Sequence, residues 1–157
     1  MRKLRTVLVG FGAIAHGLSV DRRMAAYFRY ATHAQVLRDH PKFDWCGTVD
    51  PDPKARARAR TATAVPVFDT LGAAQAALEP EIAVIAAPPA VRLQVLKAFP
   101  GLRGVVVEKP LGADLASAKR FAARCARARL PVQVCFWRRG DRTLRRLAAP
   151  PETHLDG

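Results

Sequence analysis

Leu4-Arg5-Thr6-Val7-Leu8-Val9-Gly10-Phe11-Gly12-Ala13-Ile14-Ala15 is the stretch that decides the architecture. The run Leu4 to Val9 is almost continuously apolar, the pattern of a strand buried on both faces of a parallel sheet. A Gly-x-Gly-x-x-Ala turn follows it at once. Gly10 permits a tight strand-to-helix turn, and Gly12 removes the Cβ that would hold a pyrophosphate away from the backbone. Ala15, in place of a third glycine, is still small enough for close helix–strand packing. A helical segment is expected next, with its N-terminal N–H groups offered to phosphate. Gly10, Phe11, Gly12, Ala13, Ile14 and Ala15 are therefore candidate cofactor-binding residues.

Downstream, β-type and helical runs alternate, which indicates successive βαβ units. Strands are expected over 43–49, 65–68, 81–87, 104–107 and 131–136. Helices are expected over about 32–39, 53–61, 70–78, 91–98 and 114–129. Six strands with intervening helices make an α/β, doubly wound parallel sheet of the Rossmann kind, a single domain over 1–137. Residues 138–157 are expected to form a short, loose tail.

Composition narrows the class further. Half of the 157 residues are hydrophobic, enough for a packed core. No apolar run approaches the roughly 20 residues that span a bilayer, so no membrane role is expected. The N-terminal MRKLRTVLVG runs into the glycine turn and carries no cleavage-type segment, and a cytoplasmic location is expected. The formal net charge of +13 comes mostly from arginines scattered among alanines, as in KARARAR at 54–60. No nucleic-acid-binding motif accompanies them, so solvated helix faces are the preferred reading over a nucleic-acid partner. Cys46, Cys125 and Cys135 form no CxxC pair, and His16 and His33 have no partner at metal-ligand spacing. These residues are expected to pack or cap, with no metal site.

Two further positions carry candidate chemistry. Asp50, at the end of the second strand, can accept the hydroxyls of an adenosine ribose and repel a 2′-phosphate, which favours NAD over NADP. It lies 40 residues after Gly10, where about 20 is usual, and the excess falls between the glycine turn and the second helical segment. Asp50 also reads as a cap of the next helix, and Arg56 and Arg58 offer the opposite preference, a 2′-phosphate. Glu108-Lys109-Pro110-Leu111 ends the fifth strand, where the ligand crevice of such sheets opens. There Lys109 can lend charge to an oxygen that becomes negative, and Glu108, Lys109 and Pro110 also read as a structural turn.

The order of GFGAIA, VDPDPKARA after the second strand, IAAPP after the fourth and VVVEKPL after the fifth resembles the Gfo/Idh/MocA family of oxidoreductases over about residues 3–140. The resemblance implies a nicotinamide dinucleotide on the glycine turn and Asp50, with Ala87, Pro88 and Pro89 bordering the nicotinamide. It places Glu108 and Lys109 by the nicotinamide ribose, Lys109 as the catalytic residue, and brings Trp137 and Arg138 to the cofactor. It implies hydride transfer with a sugar- or polyol-like small molecule. The family often has a His after the fourth-strand prolines, where this chain has Arg92. The family's second, substrate-binding domain is missing, so the sequence reads as a half-enzyme: a truncated piece, a remnant, or a chain that works with a second subunit or as a homo-oligomer. A dinucleotide-binding module without turnover is the alternative.

Overall fold

The computed structural model describes residues 2–20 and 22–136. Six strands, β1 (Leu4–Val9), β2 (Phe43–Val49), β3 (Val67–Phe68), β4 (Ile82–Ile85), β5 (Gly104–Val107) and β6 (Val132–Val134), form one sheet in the order β3-β2-β1-β4-β5-β6. Every neighbouring pair is parallel. The expected doubly wound sheet is therefore present. The order reverses between β1 and β4, and at such a switch point a crevice opens beyond the strand carboxyl ends.

Alternation along β1 divides the core between the two faces of the sheet. Val7 and Val9 join Val49, Ala83, Ile85, Val105 and Val107 on one side, covered by Leu78, Val95, Phe99 and Phe121. Those last four come from α4 (Leu71–Ala77) and its C-cap, α5 (Arg92–Ala98) and its C-cap, and α6 (Leu115–Arg127). Leu8 and Val84 face the other way, against Ala34 and Leu37 of α2 (His33–Asp39) and Ala55 and Ala59 of α3 (Pro53–Ala62). The arginine-rich α3 thus contributes only two small alanines to the core. Its helical start is set by the Asp52 carboxylate, which accepts from Lys54 N–H and Ala55 N–H, and by Pro53 in the first turn. Asp52, and not Asp50, caps this helix.

The region after the glycines departs from expectation. Instead of a helix, residues 12–18 form an irregular turn in which His16 and Gly17 N–H both donate to the Gly12 carbonyl and Leu18 N–H to that of Ala13. A 3-10 turn (Gly17–Val20) and the short α1 (Arg22–Tyr27) follow. The chain then returns: His33 N–H donates to the Ile14 carbonyl and Ala34 N–H to that of Ala15. Helix α2 resumes the hydrogen bonding that the turn began. Each of these two bonds spans 19 residues where a helical bond spans four, so 15 residues are extra to the register of one helix, and without them Asp50 would follow Gly10 by about 25 residues, nearer the usual separation. The rejoining end is fixed by a capping box, Thr32 accepting from Gln35 N–H while the Gln35 side chain accepts from Thr32 N–H.

Smaller differences concern boundaries. β3, β4 and β6 are shorter than expected, and Ala86, Ala87 and Cys135, just beyond β4 and β6, line the strand-end crevice. α4 starts after Thr70, whose hydroxyl accepts from Ala73 N–H. Deleting residues 18–32, so that Gly17 joins His33 and the His33 N–H falls four residues after Ile14, is expected to leave the far-ultraviolet circular dichroism of a folded α/β domain and a cooperative thermal transition. Loss of that transition would show that the insertion is needed for folding.

Candidate functional site

The glycine turn is held against β4 as well as β2. Gly10 sits at φ +93°, and a Cβ there would lie 2.6 Å from the Ala86 carbonyl oxygen. Its N–H donates to the Val49 carbonyl at 2.8 Å, and Ala86 N–H donates to that of Val9 at 2.8 Å. Gly12 differs: a Cβ there would meet nothing within 4 Å. Its bareness serves the open side of the turn. Phe11 and Ala15 point into the core, whereas Ile14 stands out at its mouth. The His16 ring stacks on Phe11 with centroids 4.9 Å apart. Burial, then the nearby Arg58 and Arg38 guanidiniums, lower the His16 pKa, so positive charge lies beside the turn.

Asp50 is buried at the end of β2. Its Oδ2 accepts from Phe11 N–H at 2.7 Å and its Oδ1 from Asp52 N–H at 2.8 Å. The carboxylate therefore anchors the glycine turn besides lining a cleft of about 450 Å³, shared with Gly10, Gly12, Thr70, Ala87 and Pro88. Arg56 turns back onto the Asp50 and Pro51 carbonyls.

A larger cleft of about 850 Å³ shares Ala86, Ala87 and Pro88 with the smaller one. Ala87, Pro88, Pro89, Glu108 and Lys109 line it from the strand ends, together with Ile14, Tyr30 and His33. The ends of β4 and β5 thus bring the sequence-derived residues together, while Ala86, Ala87 and Pro88 border both clefts. Trp137 and Arg138 lie outside the described residues.

Beneath Lys109 is Arg92, 1% exposed. Its Nη1 donates to the Pro110 carbonyl at 2.5 Å and its Nη2 to the Glu108 carbonyl, so one guanidinium grips the backbone on both sides of Lys109. Burial lowers its pKa and the Glu108 carboxylate opposes that shift. Where the family often has a His, this chain has a buried clamp.

Sequence reasoning missed two residues here. His33, expected to cap or pack, places Nε2 2.8 Å from Glu108 Oε1, both side chains being largely buried. Cys135, expected as a strand-core thiol, lies just beyond β6 on the same cleft. Burial first, then the Glu108 charge and hydrogen bond, push its thiol pKa up to about 12. No sequence spacing reveals this group, because 33, 108 and 135 meet only through the sheet order.

A family model described as an oxidoreductase family with an NAD-binding Rossmann fold matches residues 4–136. The chain belongs to the Gfo/Idh/MocA oxidoreductase family. No curated protein sequence matches it. Among solved structures, the WlbA dehydrogenase from Bordetella pertussis, in complex with NADH and UDP-GlcNAcA, is 26% identical with a TM-score of 0.72. That match covers 93% of this chain and 41% of the dehydrogenase. A scyllo-inositol dehydrogenase from Lactobacillus casei, with bound NAD(H) and scyllo-inositol, shares the fold at 19% identity and a TM-score of 0.69. Here 93% of this chain and 40% of the other are covered. The Gfo/Idh/MocA chain described here therefore spans about 40% of the length of these two relatives. Among its described residues no helix is long and apolar enough to cross a membrane.

Replacing Arg92 by Met removes two charged donors from part-buried carbonyls and is expected to cost about 2 kcal/mol in urea unfolding. Arg92→Lys, with one ammonium in place of a fork, is expected to recover only part. Unchanged stability in both would mean that the clamp carries no load.

Proposed function

We propose that this chain is the cofactor-binding half of an oxidoreductase and binds a nicotinamide dinucleotide across the switch point of its sheet. The pyrophosphate lies over Gly10 to Ala15, where backbone N–H groups and the nearby Arg58 favour anions. The adenosine occupies the smaller cleft, with its ribose hydroxyls donating to Asp50. The nicotinamide enters the larger cleft beside Ala87, Pro88 and Pro89, with its ribose by Glu108 and Lys109. The observation that carries this reading is the pair of adjoining clefts at the strand ends, the smaller lined by a glycine turn whose second glycine faces open space.

NAD is preferred to NADP in this reading. The Asp50 carboxylate is fixed by two backbone N–H bonds, and a 2′-phosphate beside it would meet like charge. A bound nicotinamide would supply or accept the hydride exchanged with a sugar- or polyol-like substrate. Lys109 is the catalytic residue: its ammonium stabilises the substrate oxygen as charge develops there. Arg92 keeps that lysine in register through the carbonyls on either side of it. The substrate-binding remainder comes from a second domain, a second subunit or another copy of the chain. The two dehydrogenases with bound NADH or NAD(H) support this assignment, as does the family match.

The direct test is titration calorimetry of the 157-residue chain with NAD and NADP, repeated with Gly12→Ala. Saturable NAD binding is expected, with weaker NADP binding. Gly12→Ala should weaken NAD at least about tenfold, because the methyl occupies the place of the pyrophosphate, while the thermal midpoint stays nearly unchanged. Binding of NAD unaltered by Gly12→Ala would overturn the placement.

A further inference from the structure

The group formed by His33, Glu108 and Cys135 has a geometry that neither the family match nor the dinucleotide reading calls for. His33 opens α2, Glu108 follows β5 and Cys135 follows β6. One ring nitrogen, one carboxylate oxygen and one sulfur from these three elements lie within 4.8 Å of one another. All three residues line the 850 Å³ cleft. We propose that His33, Glu108 and Cys135 form a three-ligand site for a zinc-class divalent ion, with the remaining coordination position open to the cleft.

The donor set selects the class of ion. A mixed nitrogen, oxygen and sulfur set suits a borderline ion such as zinc, whereas magnesium and calcium take oxygen donors. Tetrahedral zinc, with bonds of about 2.0–2.3 Å, sets its donors roughly 3.3–3.8 Å apart. His33 and Glu108 are already closer than that, at 2.8 Å, and the ion takes the place of their hydrogen bond. The widest separation closes by about an ångström, within reach of side-chain rotation alone.

The backbone supporting the donors is fixed. Cys135 N–H donates to the Val107 carbonyl, Glu108 N–H to that of Ile85 and His33 N–H to that of Ile14. Arg92 grips the Glu108 carbonyl from below. A first shell held by paired backbone is what a metal site requires. On binding, the Cys135 thiol forms its bond to the ion and releases its proton to solvent, and His33 contributes a neutral nitrogen. The carboxylate and thiolate then balance the two charges of the ion. Three protein ligands with one vacant position are the arrangement that lets zinc take an oxygen from outside, and here the available class is a hydroxyl or carbonyl oxygen of a small molecule in the cleft.

The test uses the metal-free 157-residue chain and adds zinc chloride by calorimetry and cobalt chloride by absorption. One equivalent of zinc should bind, the thermal midpoint should rise with zinc, and cobalt should show a thiolate charge-transfer band. Cys135→Ser should abolish that band, and Cys135→Ser, His33→Gln and Glu108→Gln should each weaken zinc at least about tenfold. Cys46→Ser, remote from the cleft, should change nothing. Binding no tighter than about millimolar, or binding indifferent to Cys135→Ser, would overturn the proposal and leave the three residues as a hydrogen-bonded group. Because NAD is absent from these titrations, their outcome is separate from that of the dinucleotide reading.

Discussion

The absence of a side chain at Gly10 is the constraint on which the strand-end crevice depends. Any Cβ there would drive into the Ala86 carbonyl, and the backbone occupies the left-handed region that side chains resist. With that room left free, the end of β1 lies against the end of β4, and the glycine turn crosses the sheet where its order reverses. Ala86, Ala87 and Pro88 then border both clefts. The Asp50 carboxylate holds the same turn from the β2 side through Phe11 N–H. A residue first read as a ribose acceptor is thus also part of the scaffold that shapes the turn.

The insertion shows how a strong local signal can be correct and incomplete. Gly10 to Ala15 announces a strand, a turn and a helix, but no helix follows the turn directly. The helix bonded to it starts only at His33, which the chain cannot reveal locally because the joining bonds run from 33 and 34 back to 14 and 15. Periodicity within each segment is a short-range property. Once the insertion is recognised, the long gap before Asp50 ceases to be anomalous.

The sheet was readable from the sequence for a related reason. Val7, Leu8 and Val9 are buried, as an apolar run between two helical layers requires, and β2 and β3 run directly into Asp50 and Asp69 while Pro88 and Pro110 follow β4 and β5 within three residues. The ends of β2, β4 and β5 accordingly place Asp50, Ala87 and Lys109 on the crevice. What could not be read were contacts set by strand order. Arg92 reaches the carbonyls of 108 and 110, and His33 and Cys135 converge on Glu108. A buried arginine in a helix of an arginine-rich chain carries no local mark that separates it from Arg120 or Arg124, which are exposed.

The central claim, that a dinucleotide lies across the glycine turn with one end in each cleft, is tested most directly by following backbone amide resonances of the isotope-labelled chain as NAD is added. The account predicts the largest shifts at Gly12, Ala13 and Ile14, with further shifts at Asp50, Thr70, Ala87 and Lys109. Shifts confined to the exposed arginine-rich faces of α3 and α6, or no shifts at saturating NAD, would contradict it.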